Sequence, residues 1–199
     1  MRVRAPSKHV ASSQLQLVAQ AELPVQAAAS AAVRGEPELL ELLYRRHSRY
    51  VAGVAIRLLG RDGEIDDVVQ DVFIAALRGV ARLREPEAIR GWLAKVTVRL
   101  CLRRLRRQRV LRALHLGLPP ADFEVLAAPS ATAEQRALLS KVYCVLDRMP
   151  ARTRVIWILR HVLCESLPAI VELSACSQST VQRRLREAEA LLEEALRHA

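Results

Sequence analysis

Aromatic side chains are scarce in this 199-residue chain, at two Trp, three Tyr and two Phe. The β-branched residues are scattered among Ala, Leu, Arg and Glu, so composition points to helices throughout and to an all-α protein. No run of eighteen apolar residues occurs, which argues against a transmembrane helix and membrane insertion. The short run Leu15 to Val18 is interrupted by Gln16 and falls short of a signal-peptide core, so residues 1–33 are expected to be a disordered or loosely helical tail. The four cysteines, Cys101, Cys144, Cys164 and Cys176, form no C-x-x-C pair. Neither zinc nor disulfides are expected; buried free thiols in a reducing cytoplasm are. His47, His115 and His161 stand apart, and there is no Ser-His-Asp set, glycine-rich phosphate loop or H-E-x-x-H motif. No catalytic residue, metal, cofactor or small-molecule substrate is therefore expected.

What the chain has in excess is positive charge, 31 Lys and Arg against 21 Asp and Glu for a formal +10. Such an excess suits a polyanion, either nucleic acid or an acidic membrane. Between Arg82 and Arg112 there are eleven basic residues and two acidic ones, so nearly the whole excess lies in one segment. Between Asp62 and Asp71 there are five acidic residues and no basic one. Charge laid down in blocks suggests separate surfaces for separate partners.

Helical periodicity begins near Glu36-Pro37 and stops at Gly60, followed by the loop Gly60-Arg61-Asp62-Gly63. A helix from Glu64 to Arg78 follows, with Ile65, Val68, Val69, Val72 and Ala76 on one face and Asp66, Asp67, Gln70, Asp71 and Ile74 on the other. A helix from about Ala88 to Arg107 carries Ile89, Trp92, Leu93, Val96 and Leu100 on its apolar stripe, while Lys95, Arg99, Arg103 and Arg106 line one side. A second apolar line, Val98, Leu102 and Leu105, predicts that this helix is covered on two sides. Pro119-Pro120, Pro129 and a run of small residues mark a linker. The expected organisation is a helical domain over 34–112, a flexible linker over 113–132 and a second helical domain over 133–197.

The segment from Cys164 to Leu192 has the physical marks of a helix-turn-helix. Ser166 suits the cap of a short helix with Pro168 in its first turn, Ala175-Cys176-Ser177 the turn, and Ser177 the cap of a second helix. Val181, Leu185, Ala188 and Leu192 then face inward, leaving Gln178, Ser179, Gln182, Arg183 and Arg186 where a recognition helix meets base edges and phosphates. Gln pairs with adenine and Arg with guanine, each contact giving about 1–3 kcal/mol of discrimination. The acids Glu187, Glu189, Glu193 and Glu194 read as a solvated face.

The stretch EIDDVVQDVFIAALR (Glu64 to Arg78) closely resembles the motif of the extracytoplasmic-function (ECF) RNA polymerase sigma factors: an acidic pair, two apolar residues, Gln, an acidic residue and Phe, in order. IRGWLAKVTVRLCLRRLRR (Ile89 to Arg107) is similar to the family's Trp-Leu helix, and Leu146 to Leu185 is similar to its promoter-reading domain. The resemblance implies a non-enzymatic, cytoplasmic protein that binds core RNA polymerase and promoter DNA, with an anti-sigma protein as a possible further partner. It implies that Asp66, Asp67, Gln70, Asp71 and Phe73 grip polymerase. It implies that Arg84, Arg90, Trp92, Lys95, Arg99, Arg103, Arg106 and Arg107 serve the minus-10 element. Ser177, Gln178, Ser179, Thr180, Gln182, Arg183 and Arg186 match the minus-35 reader.

Five positions depart from the family pattern. Arg99 and Arg103 stand where Asn and Asp are usual, Glu165 where Leu is preferred, Ala169 where Glu is frequent, and Ala175 where the turn normally carries Gly. An Ala at a position favouring φ > 0 costs about 1 kcal/mol. Two rivals remain at this stage: a stand-alone helix-turn-helix regulator of duplex DNA, and a sigma-like interaction protein without promoter activity.

Overall fold

A computed structural model describes residues 37–60, 63–79, 88–114, 123 and 126–197. Among the described residues the chain is helical, without strands, in seven helices: α1 (Pro37–Leu59), α2 (Ile65–Gly79), α3 (Ile89–Ala113), α4 (Ala133–Arg148), α5 (Ala151–His161), α6 (Leu167–Ser174) and α7 (Gln178–Arg197). The expected tail and Arg84 lie outside the described residues. The helix ends follow local chemistry. Gly60 takes φ +67 just past α1, the left-handed conformation that glycine adopts without steric cost. Thr132 and Gln135 form a reciprocal capping box at the start of α4, Ser166 Oγ accepts from the Ala169 amide, and Ser177 Oγ accepts from the Thr180 amide.

Helices α1, α2 and α3 pack around Val51, Leu58, Val68, Val72 and Leu93, all fully buried. Helices α4 to α7 pack around Leu146, Ile156, Ile158, Ile170 and Val181. In this structure the buried residues of the two halves form one continuous core. Helix α3 is flanked by α1 and α2 and also by α5 and α6, which is why Val98, Leu102 and Leu105 are buried. It also runs six residues beyond the expected end at Arg107, to Ala113.

The seam is closed by hydrogen bonding at the C-terminus of α1. The last carbonyls of a helix have no partner within it. Here Tyr143 Oη donates to Arg57 O at 3.0 Å, Arg154 Nε to Leu58 O at 3.1 Å, and Arg154 Nη2 to Leu59 O at 2.7 Å. Arg154 is 1% exposed, and its Nη1 lies 2.7 Å from Asp147, whose carboxylate also pairs with Arg112 of α3 at 2.7 Å. The second half thus caps the first. Phe123, within the expected linker, is buried, its ring 5.5 Å from that of Tyr143, and a Cβ on Gly60 would lie 2.9 Å from it.

The thiols differ from expectation. All four are free, but only Cys101 is buried, which pushes its pKa up to about 12; Cys144 and Cys164 are exposed and Cys176 is half-buried. No helix among the described residues is long and apolar enough to cross a membrane.

Candidate nucleic-acid interface

On α2 the 3.6-residue period places Val68, Val69, Val72 and Ala76 in the core and leaves Asp66, Asp67 and Gln70 exposed, with Asp71 half-buried. This acidic face is held in place from α3. Arg104 lies 2.7 Å from Asp71, 3.4 Å from Glu64 and 3.8 Å from Asp67, and Gln108 Nε2 donates to Glu64 at 2.7 Å. Burial works against the charged guanidinium, but the hydrogen bonds it donates to Asp71 and Glu64 outweigh it and raise the Arg104 pKa. The sequence reading missed Arg104 by counting it with the positive block. The signal was its register: Leu93, Thr97, Cys101, Arg104 and Gln108 recur at helical spacing, all buried or half-buried.

Phe73 is not part of the exposed face. It is 3% exposed, with its ring 5.0 Å from that of Tyr44, and it supports α2 from beneath. Beside the acids the surface is instead apolar: Tyr44, Ile74 and Leu77 are exposed. An acidic rim next to exposed large apolar side chains is the composition of a protein-binding surface.

The basic side of α3 is intact. Arg99, Arg103, Arg106 and Arg107 are exposed, and no ion pair holds any of them among the described residues. Lys95 is half-buried and paired with Glu172 of α6, so that end of the row is tied to the second half. Arg90 stacks over the Tyr50 ring at 4.4 Å. Burial and the charges of Arg46 and Arg90 lower the pKa of nearby His47, keeping it neutral at pH 7. Trp92 packs against the core and fits against Gly79 so closely that a Cβ there would lie 2.5 Å from its ring.

In the second half, α6 and α7 are joined by a tight turn at Ala175 to Ser177. Val181, Leu185, Ala188 and Leu192 are buried. Gln178, Ser179, Gln182, Arg183 and Arg186 are exposed along one side of α7, with Thr180 half-buried. Ser177 Oγ meets Ser179 Oγ at 3.1 Å and Thr180 Oγ1 at 2.8 Å, and Arg183 pairs with Glu187 at 3.0 Å. Ala175 adopts the left-handed conformation, φ 50 and ψ 47, that the turn was expected to need. Trp157 packs against the core and stacks on His161, whose Nε2 lies 3.3 Å from Glu189. No group of metal-ligating side chains occurs among the described residues.

Residues 43–110, which carry the acidic helix face and the arginine-lined helix packed against it, match the Sigma-70 region 2 family. The chain is 31% identical over 164 residues to the ECF RNA polymerase sigma factor SigM of Mycobacterium tuberculosis, covering 82% of this chain and 80% of that protein. It is 29% identical to the RNA polymerase sigma factor NccH of Alcaligenes xylosoxydans, covering 84% and 91%. The fold is similar to CnrH solved in complex with the cytosolic domain of CnrY, with TM-score 0.57 and 24% identity over 87% of this chain and 97% of that one. It is also similar to the sigma factor RpoE in complex with the anti-sigma factor NepR from Bartonella quintana, with TM-score 0.60 and 16% identity over 79% and 96%. This chain belongs to the ECF RNA polymerase sigma factor family, whose members are not enzymes.

Proposed function

We propose that this protein carries core RNA polymerase to promoters through three surfaces. Asp66, Asp67, Gln70 and Asp71 of α2, with Ile74 and Leu77 beside them and Phe73 beneath, grip polymerase. Arg90, Trp92, Lys95, Arg99, Arg103, Arg106 and Arg107, with Arg84 on the connector, hold the opened strand of the minus-10 element by a positive groove and stacking. Ser177 to Arg186 of α7 read the minus-35 element in the major groove. The observation that carries this reading is the division of charge between α2 and α3: an acidic, partly apolar face for a protein, and beside it an unneutralised arginine row for nucleic acid.

Reading two promoter elements at once separates the halves into domains spanning 34–112 and 133–197, tethered by 113–132. Tethering raises the effective concentration of the second contact, so two weak readers suffice. The packed arrangement is then the resting form. An anti-sigma protein fits this scheme as a further partner, since RpoE was solved with one. The protein acts in the cytoplasm, with polymerase and DNA.

Reconstitution with core polymerase and promoter-dependent transcription on genomic fragments test this. Asp66 and Gln70 are exposed and lie outside the Arg104 cluster, so Asp66→Arg with Gln70→Arg leaves the fold intact and weakens core association about a hundredfold or more. Unchanged core affinity in the double variant overturns the assignment of that face. Wild-type binding without open complex favours a sigma-like interaction protein, and specific duplex binding with no core binding favours a stand-alone regulator.

A further inference from the structure

Where the C-terminal turns of α3 meet the start of α5 and the flank of α7 there is an open cleft of about 500 Å³. Four arginines line it: Arg106 and Arg109 from the first half, Arg152 and Arg184 from the second. No carboxylate does. In the adjoining crevice, which shares Arg109, the one acid is Asp147, already engaged by Arg112 and Arg154. We propose that this cleft binds a small polyphosphate, the triphosphate of a nucleotide or a short inorganic chain.

The guanidiniums of the second half are positioned in advance. Arg152 Nη1 donates to Ser174 O and Cys176 Sγ, each at 3.0 Å, and Arg184 Nη1 donates to Thr153 Oγ1 at 2.9 Å. Arg184 Nε is buried and has no acceptor. A buried donor on a cation left unmet is costly, and an anionic oxygen is the partner that relieves it. Four uncompensated guanidiniums around one cavity also repel each other, which a ligand carrying several adjacent negative charges reverses. The rest of the lining, Val110 and Pro150 among it, is mostly apolar and suits the flat face of a base. The volume falls within the range of pockets that enclose a small molecule, about 300–1,000 Å³.

Because its arginines come from both halves, the cleft exists only while the halves are packed. A bound polyphosphate therefore favours the packed form and opposes whatever requires separation. Binding itself rests on that packing; only the effect on polymerase rests on the sigma reading.

Calorimetry of the full chain with inorganic tripolyphosphate and with ATP, in about 0.15 M salt, tests the site. One molar equivalent of probe binds. Arg152→Gln with Arg184→Gln weakens it by about tenfold or more, and so does Arg106→Gln with Arg109→Gln, a pair on exposed positions that leaves the thermal midpoint unchanged. Tighter binding of ATP identifies a nucleotide as the source, and equal binding identifies the phosphate chain alone. The proposal is overturned if neither probe binds, if both double variants bind as tightly as wild type, or if single-stranded DNA binds there and neither probe displaces it. In a second measurement, saturating probe weakens core polymerase binding by the wild type but not by the Arg152→Gln, Arg184→Gln variant. Lack of core binding in that measurement bears on the sigma reading and leaves the calorimetric result standing.

Discussion

The two halves of the molecule close their helices in different ways. In the second half the caps are local: Thr132, Ser166 and Ser177 each accept from an amide three residues along. In the first half the C-terminus of α1 is closed from a distance of more than eighty residues, by Tyr143 and Arg154. Local caps survive separation of the halves, whereas remote ones do not. The helix-turn-helix is therefore self-sufficient at its ends, while α1 gives up three side-chain hydrogen bonds whenever the second half departs. The cost of opening falls on the first half.

Arg154→Ala breaks this asymmetry most severely. It leaves two buried carbonyls unmet and a carboxylate with one partner, and an expected loss of about 3–5 kcal/mol follows. Chemical denaturation gives the magnitude, and limited proteolysis of the linker tests whether the halves have come apart. A loss below about 1 kcal/mol shows that the seam does not depend on this residue.

Tyr143→Phe is the milder break, removing one hydrogen bond worth about 1 kcal/mol. It also carries a pH signature. Burial pushes the Tyr143 pKa up to about 12 from its ordinary 10, so the unfolded chain loses this proton first as pH rises. The phenol's contribution is complete below pH 10 and falls away between pH 10 and about 12. Over that interval, stability of the Phe variant falls less steeply than that of wild type, which denaturation at stepped pH measures. Parallel slopes would show that the phenol does not carry this dependence.

Much of the second half was legible because its determinants lie within a few residues of one another. Ser166 with Pro168 marks one helix start, Ser177 another, and the spacing of Val181, Leu185, Ala188 and Leu192 gives the buried face. The acidic face of α2 was legible for the same reason. The seam was not. Arg154 and Arg104 look in sequence like two more cations in a basic chain; what separates them from Arg99 or Arg103 is enclosure by residues far away along the chain. Phe73 was misplaced because the resemblance assigned it to a surface by position, whereas its own register on α2 turns it inward beside Val72. Arg99 and Arg103 remain exposed on α3, so the departures from the family's polar pair add positive charge to the basic row.

Ala175→Gly sharpens the comparison at its small end. With φ 50, this Ala pays the penalty that glycine avoids, and the substitution is expected to stabilise the protein by up to about 1 kcal/mol. Because the turn belongs to a locally closed half, the gain persists in a variant whose seam is already broken by Arg154→Ala. Thermal denaturation of the single and double variants checks this; coupling beyond about 0.5 kcal/mol would mean that turn and seam are not independent.

Phe123 sets a leash. A chain of n residues reaches at most about 3.6 Å × n, so the span from Leu114 to Thr132 has an outer limit of about 65 Å. While the Phe123 ring stays seated against Gly60 of the first half, the stretch that can pay out toward the second half starts there instead, with a limit of about 32 Å. One aromatic ring thus gives the tether two lengths, and under the proposed function its seating would set which spacing between promoter elements the protein can straddle.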